Sequence, residues 1–234
     1  MLDPALTHHS EKHFTAARNV RDVVIGMADG LTVPFALAAG LAGAQAGTRI
    51  IVTAGLAEIV AGAIAMGLGG YLAARTDLEH YESEKNREVQ ETFEKPEQEA
   101  KEVADVFRSF GLEEALVDAV VEAIKKDRGR WVDFMMRFEL GLEAPDPGRA
   151  HISAMWIGSS YLVGGFIPLA PYMLTADLGT ALQGSILVTA MALLAFGYFK
   201  GKMTTLHAWR SAIQTLCIGG AAASVAYLVA RSMG

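Results

Sequence analysis

Residues 23–37 read VVIGMADGLTVPFAL, an apolar run whose one ionisable side chain is Asp29. A second carboxylate, Glu58, lies in the next apolar run of the chain. An ionisable group at membrane depth is costly, so it marks an ion or proton path by default. These two carboxylates therefore indicate a membrane protein with a transport function.

The apolar residues form five blocks, each long enough for a helix that crosses a bilayer, which needs roughly 20 residues. No stretch alternates as a barrel strand does, and a backbone in lipid must satisfy its own hydrogen bonds. The predicted fold class is therefore an all-α membrane protein with five transmembrane helices. The blocks cover about 22–47, 50–74, 151–174, 178–199 and 208–230.

An acidic insert separates the second block from the third. Residues 77–146 hold 20 of the 26 Asp and Glu but 10 of the 20 Lys and Arg, a local net charge of −10. Pro96 interrupts the helix that continues from the second block, because proline lacks a donor and clashes with the preceding turn. Three soluble helices are predicted beyond that break, over about 96–110, 112–127 and 130–142. The second would bury an apolar stripe of Leu112, Leu116, Val120 and Ile124.

The predicted domains follow from these boundaries. They are a cytosolic N-terminal segment at 1–20, transmembrane helices 1 and 2 at 21–76, a helical lobe at 77–148 that includes the extension of helix 2, and transmembrane helices 3–5 at 149–234. Basic residues concentrate beside one set of span ends, which places the N terminus and the insert in the cytosol and the C terminus across the membrane. The first twenty residues carry three histidines and several charges, unlike a cleaved signal peptide, and are predicted to be a soluble lead-in.

Helical rise gives the depth of each polar group in the membrane. At about 1.5 Å per residue, Asp29 lies about 10 Å from the cytosolic end of span one, and Met66 about 12 Å from that end of span two. Glu58 lies about 24 Å from the same side. Pro34 cannot donate to the carbonyl of Gly30, which leaves that oxygen available to a cation. The alternative is that Asp29 bonds to a neighbouring helix and the proline only kinks the chain.

Glutamates in the insert form a second possible site. Glu88 and Glu91 share one helix face, and Glu99 and Glu102 share another beyond Pro96. Clustered carboxylates bind divalent cations, and Met135, Met136 and Glu139 from the last insert helix would add ligands suited to a transition metal. A solvated acidic face is the alternative, and spacing alone does not select these residues over Glu84, Glu94 or Glu97.

Other patterns exclude several functions. The sequence has no HExxH, GxSxG, P-loop or calcium-loop motif, and no paired Glu-x-x-His motifs of a di-iron centre, so neither an enzyme nor a resident cofactor is expected. Its one cysteine, Cys217, rules out a disulfide framework. No nucleic-acid partner is expected.

Small-xxx-small pairs permit close helix approach, either in a dimer or within one chain. These pairs are Gly26 with Gly30, Gly43 with Gly47, and Gly197 with Gly201.

Two long motifs, DGLTVPFALAAGL at 29–41 and AGLAEIVAGAIAMGLGGYLA at 54–73, resemble the vacuolar iron transporter family and in particular its plant members. The resemblance extends over essentially the whole chain. The resemblance implies a homodimer that lies in the vacuolar membrane and contacts its lipids. This dimer would export Fe²⁺ from the cytosol into the vacuole in exchange for protons. The resemblance also assigns Asp29, Glu58 and Met66 to the translocation pathway. The cytosolic metal-binding domain would use Glu88, Glu91, Glu99, Glu102, Met135, Met136 and Glu139.

Two other functions are compatible with the same residues. Carboxylate and thioether ligands do not sharply separate divalent metals, so the chain is alternatively a broader exporter of Mn²⁺, Co²⁺ or Zn²⁺. A membrane-anchored metal sensor or buffer is the other alternative, in which the insert binds ions and the spans only dimerise. Asp29 and Glu58 discriminate between transport and sensing, because a mere anchor has no use for carboxylates at membrane depth.

Overall fold

A computed structural model describes the backbone of residues 4–204 and 207–233, and the side chains of residues 18–203 and 207–233. All regular structure in these residues is helical. Five helices have the length and composition to cross a membrane, which confirms the all-α class and its five predicted spans. They are Arg18–Gly43, Thr48–Glu94, Arg149–Leu174, Leu178–Met203 and Ala208–Met233.

The helices follow one another with short connections. Those up to the end of the insert are α1 (Pro4–Gly43), α2 (Thr48–Glu94), α3 (Pro96–Ser109), α4 (Glu114–Lys125) and α5 (Arg128–Phe134), which continues as a π-helical turn at Met135–Glu139. The remaining three are α6 (Arg149–Leu174), α7 (Leu178–Thr204) and α8 (Ala208–Met233).

Both ends of α1 differ from the predicted span. The first block was predicted to continue to residue 47, but α1 ends at Gly43 because the chain turns at Gln45, which has a positive φ of 58°. At the other end, α1 begins at Pro4. The side chains before Arg18 lie outside the described residues, so the soluble character of 1–20 stays a prediction.

The chain divides into two compact units. The membrane unit runs up to Tyr71 and resumes at Ala150, and the insert unit is Leu72–Arg149. Helix α2 contributes to both, because it is 47 residues long and far exceeds the length that a bilayer requires.

Glycines bring the helices of the membrane unit into close contact. A Cβ on Gly26 or Gly30 of α1 would overlap the backbone carbonyl of Ile157 or Tyr161 of α6. Gly43 and Gly197 behave alike: a Cβ on Gly43 would lie 2.5 Å from the carbonyl oxygen of Tyr227 on α8, and one on Gly197 would lie 2.8 Å from the Cα of Ala212 on α8. Gly47 has nothing within 4 Å. Apart from Gly47, these glycines therefore pack helices of one chain together.

Replacing Gly26 with alanine should destabilise the membrane unit. The new methyl group would meet backbone atoms of Ile157 that cannot rotate away, and overpacking of this kind costs about 1–3 kcal/mol. Gly69→Ala is the matched control, because nothing lies within 4 Å of its Cβ position and alanine favours a helix. The measurement is the melting temperature of the protein in detergent. Equal melting temperatures for the two variants would contradict the packing described here.

The insert unit has its own apolar core, which α3, α4 and α5 share. Its buried members are Ala100, Val103, Ala104, Val117, Val121, Trp131 and Met135. The apolar stripe predicted for α4 is wrong at Leu116, which is 57 % exposed, whereas Val117 and Val121 are buried. Leu112 and Ile124 of the predicted stripe do pack against this core, and between them packing selects Val117 and Val121 in place of Leu116.

Candidate functional site

The three predicted pathway residues lie in the membrane unit. Asp29 is on α1, Glu58 and Met66 are on α2, and each side chain is half-buried. This burial is compatible with an ion path, where the polar atoms are withdrawn from lipid.

The depths of the three residues in the membrane unit can be compared through the residues of α6 that their neighbours contact. Gly30, the neighbour of Asp29, packs on Tyr161, whereas Gly67, the neighbour of Met66, packs on Ala154. Asp29 and Met66 therefore lie beside positions of α6 that are seven residues, or about two helical turns, apart. On α2, Ile59 contacts the position of Gly165, so Glu58 lies beside a later turn. Along α6 the order is Met66, Asp29 and then Glu58.

Pro34 lies five residues after Asp29, inside α1. It removes the donor that the carbonyl of Gly30 would otherwise have, and its ring packs 3.2 Å from where a Cβ on Gly165 would lie. The hydroxyl of Thr32 donates to the carbonyl of Ala28 at 2.9 Å, a second departure from simple helical bonding close to Asp29. The proline therefore leaves one backbone oxygen, that of Gly30, beside the carboxylate, whereas the Thr32 hydroxyl occupies the carbonyl of Ala28.

A residue that the sequence analysis missed completes this region. The hydroxyl of Tyr161 on α6 donates a hydrogen bond to Oε1 of Glu58, and the Asp29 carboxylate also interacts electrostatically with that hydroxyl. The sequence did contain a signal for this residue, because an apolar span there includes three polar residues, Ser159, Ser160 and Tyr161. The partner could not be identified from sequence.

The acidic cluster of the insert unit is built from three helical segments. Carboxylate oxygens of Glu88 on α2, Glu99 on α3 and Glu139 in the π-helical turn all lie within 4.8 Å of one another. The side chains of Glu88 and Glu99 are both 2 % exposed, and one oxygen of each has no hydrogen-bond partner among the described residues. Burying carboxylates so close together is unfavourable without a cation, so the geometry suits a divalent metal.

Glu91 and Glu102 lie at the edge of this cluster. Oε1 of Glu91 accepts from Lys95 Nζ at 3.1 Å, and Oε1 of Glu102 accepts from Gln98 Nε2 at 3.1 Å. Arg87 is a second nearby cation, with Nη2 3.3 Å from Glu88 Oε1. These two glutamates are half-buried, and they would need to exchange a basic or amide partner for a metal.

Met135 and Met136 are both fully buried. Met135 belongs to the apolar core of the insert unit, and its carbonyl accepts the backbone N–H of Leu140 at 3.1 Å across the π-helical turn. This wider turn buries two consecutive methionines while Glu139 still reaches the carboxylates, and such turns often occur at functional sites. Whether either sulfur is a ligand stays a prediction.

Mutual repulsion changes the acidity of the cluster. Removal from water, followed by repulsion from Glu102 and Glu88, raises the pKa of Glu99 to about 7. The same causes raise the pKa of Glu139 to about 7, with Arg87 acting in the opposite direction. Without a metal, the cluster is therefore partly protonated at neutral pH.

We expect the metal-free insert unit to lose stability as the pH rises from 5 to 7. A carboxyl whose pKa is higher in the folded state stabilises the fold most at low pH, and this contribution is lost progressively as the pH rises from the ordinary value of 4.5 to the folded value of about 7. The melting temperature followed by Trp131 fluorescence, with Trp156→Phe and Trp209→Phe removing the other two tryptophans, should fall over this range.

A divalent metal should reverse the loss at pH 8, since a ligand that binds only the folded state stabilises it. Glu99→Gln combined with Glu139→Gln should flatten the pH dependence. A melting temperature that rises steadily from pH 5 to 7 in the metal-free protein would contradict the buried repulsion.

The sequence of this chain is similar to those of known proteins over most of its length. A sequence profile of the VIT family matches residues 20–231. The chain is 53 % identical over 226 residues to vacuolar iron transporter 1 of Arabidopsis thaliana, covering 97 % of this chain and 90 % of the relative. It is 50 % identical to vacuolar iron transporter 1 of Oryza sativa subsp. japonica with the same coverage. It is also 36 % identical to vacuolar iron transporter cccA of the fungus Arthroderma benhamiae, covering 92 % of this chain and 80 % of that one.

Proposed function

This chain belongs to the VIT family, and from that membership we propose that it exports Fe²⁺ from the cytosol into the vacuole in exchange for protons. Its relatives are named transporters, and the chain is accordingly a transporter and not an enzyme. The names of those relatives support iron as the cargo and the vacuolar membrane as the location.

The observation that carries the proposal is the pair of membrane carboxylates joined through α6. Asp29 lies beside the turn of α6 that holds Tyr161, and Glu58 accepts the hydrogen bond of that tyrosine. A bound cation favours the ionised form of a carboxylate, and protonation from an acidic lumen releases the cation. One set of carboxylates can therefore exchange metal for protons, with Met66 as a sulfur ligand near the cytosolic side.

Transport should depend on the proton gradient. Purified protein in vesicles with an acidic interior should accumulate Fe²⁺, because protons that leave through the carboxylates drive metal the other way. Adding an ionophore that exchanges protons for potassium should stop accumulation within the same preparation. Protein-free vesicles are the control for leakage, and uptake that is unchanged after the gradient collapses would refute the coupling.

The orientation and assembly belong to the same proposal. Five candidate spans, an odd number, support chain ends on opposite sides, and the basic flanks favour a cytosolic N terminus and insert with a luminal C terminus. A homodimer is implied by the family resemblance. The apolar side chains that α2 exposes, such as Ile64 at 66 %, are available to a second copy or to lipid. The mass of the protein in a native membrane preparation would test the dimer.

The two alternative functions have separate tests. Competition by Mn²⁺, Co²⁺ and Zn²⁺ against Fe²⁺ uptake distinguishes a selective exporter from a broad one, because carboxylates and a thioether accept all four ions. A sensor or buffer is favoured by one observation, the compact insert unit with its buried carboxylates. Metal binding by the insert without any uptake into vesicles would support that second function.

A further inference from the structure

Tyr161 connects both helices that carry the membrane carboxylates. Its backbone carbonyl lies directly against Gly30, the neighbour of Asp29 on α1. Its hydroxyl donates to Oε1 of Glu58 on α2, 103 residues away in sequence. The side chain is 2 % exposed, so this bond is shielded from the lipid.

Helix α2 is shaped to receive the phenol ring. A Cβ on Gly62 would lie 2.5 Å from the Cζ atom of Tyr161, so only glycine leaves room for the ring at this position. Gly62 is one helical turn after Glu58, and the two positions therefore share a face of α2. The ring lies on the glycine and directs its hydroxyl to the carboxylate.

The hydrogen bond from Tyr161 occupies one carboxylate oxygen of Glu58 and leaves the other oxygen without a partner. Oε2 of Glu58 is buried and has no hydrogen-bond partner among the residues that the structure describes. An ionised carboxylate in a membrane is stable only when its oxygens are satisfied. The geometry thus presents a carboxylate that is already oriented and has one coordination position open.

We infer that Tyr161 is a positioning residue for transport, which holds Glu58 so that its free oxygen receives the cation after Asp29. This inference rests on the proposed function, and it assigns Tyr161 a role through Glu58 without direct metal contact. Because Glu58 lies beside a later turn of α6 than Met66 and Asp29, Tyr161 acts on passage of the ion and not on its first capture. Loss of the hydroxyl should therefore lower the maximal rate more than the apparent affinity.

The experiment compares Tyr161→Phe with Tyr172→Phe in reconstituted vesicles. Tyr172 is a matched control because it is also on α6, is 3 % exposed, and bonds to no carboxylate in the described part of the chain. Both variants keep the ring and lose one hydroxyl. Tyr161→Phe should reduce the maximal Fe²⁺ uptake rate about tenfold, the loss expected for a hydrogen bond to a charged group, with an apparent KM within about twofold of the parent. Tyr172→Phe should match the parent in both.

A second substitution tests whether Tyr161 acts through Glu58. Glu58→Asp keeps the charge but is one methylene shorter and cannot keep the bond to Tyr161. In that background Tyr161→Phe should change the rate by less than about twofold, because coupled residues give non-additive effects. Equal additional loss in both backgrounds would show a structural role for the hydroxyl and overturn the inference.

The outcomes separate this inference from the proposed function. Absence of Fe²⁺ uptake by the parent protein would refute the function itself. Uptake by the parent that is insensitive to the proton gradient would refute the coupling, while the comparison of the two tyrosines would still apply to the rate. Parental rates in Tyr161→Phe, with uptake intact in all other arms, would overturn the inference alone.

Discussion

We expect Asp29→Ala to reduce Fe²⁺ uptake to the level of protein-free vesicles. Asp29 is the carboxylate at the α1–α6 contact, where Gly30 abuts Tyr161 and Pro34 removes the helical donor to the Gly30 carbonyl. Removing the carboxylate takes away the negative charge that offsets desolvation of a divalent cation in the membrane. Uptake into acidic vesicles at saturating Fe²⁺ is the measurement.

Two companion variants separate charge from shape at this position. Asp29→Asn keeps the size of the side chain and should be as inactive as Asp29→Ala, whereas Asp29→Glu keeps the charge and should retain part of the rate. Melting temperatures close to that of the parent would show that the variants fold. If correctly folded Asp29→Ala and Glu58→Ala both transported at the parental rate, the transport mechanism proposed here would fail.

The second large effect concerns capture of metal by the insert unit. Replacing Glu88, Glu91, Glu99 and Glu102 together with alanine should abolish high-affinity metal binding there and slow uptake most at low Fe²⁺. The physical reason is that Glu88 and Glu99 place oxygens within 4.8 Å of Glu139, with Glu91 and Glu102 at the edge. The apparent KM should rise several-fold while the maximal rate stays near that of the parent, since the pathway residues are untouched.

A charge-matched variant is the control for this experiment. Four exposed glutamates of the same unit, changed together to alanine, remove the same net charge without touching the cluster. They are Glu82, Glu94, Glu97 and Glu143. Calorimetric titration of the full-length protein with Co²⁺, which resists oxidation, would count the sites in each variant. Equal binding and equal KM in both quadruple variants would show that the cluster is only a solvated acidic surface.

Part of the candidate site follows from local sequence alone. Asp29 and Glu58 stand out because a charge inside an apolar run is visible from neighbouring residues. The break at Pro96 is also local, because proline acts on its own backbone. The choice among the glutamates of the insert was different, since spacing left Glu84, Glu94 and Glu97 equally eligible.

Local periodicity failed where packing between helices decides. The stripe through Leu116 and the face through Val117 both have helical spacing, and only contact with α3 selects the second. The glycine pairs were likewise open to a dimer or to one chain, and the partners of Gly26, Gly30, Gly43 and Gly197 all lie in the same chain. Both questions concern the rotation of a helix about its axis, which hydropathy along the chain does not specify.

The sequence by itself determined the membrane class, the five spans, the acidic insert and the family, because hydropathy, charge and motif are properties of consecutive residues. The tertiary structure alone decided which polar groups meet. Tyr161 reaches Glu58 across 103 residues, and Glu88, Glu99 and Glu139 converge from three helical segments. Such contacts depend on which helix faces pack together, and that choice is made by close approach at glycines and by burial of the whole core.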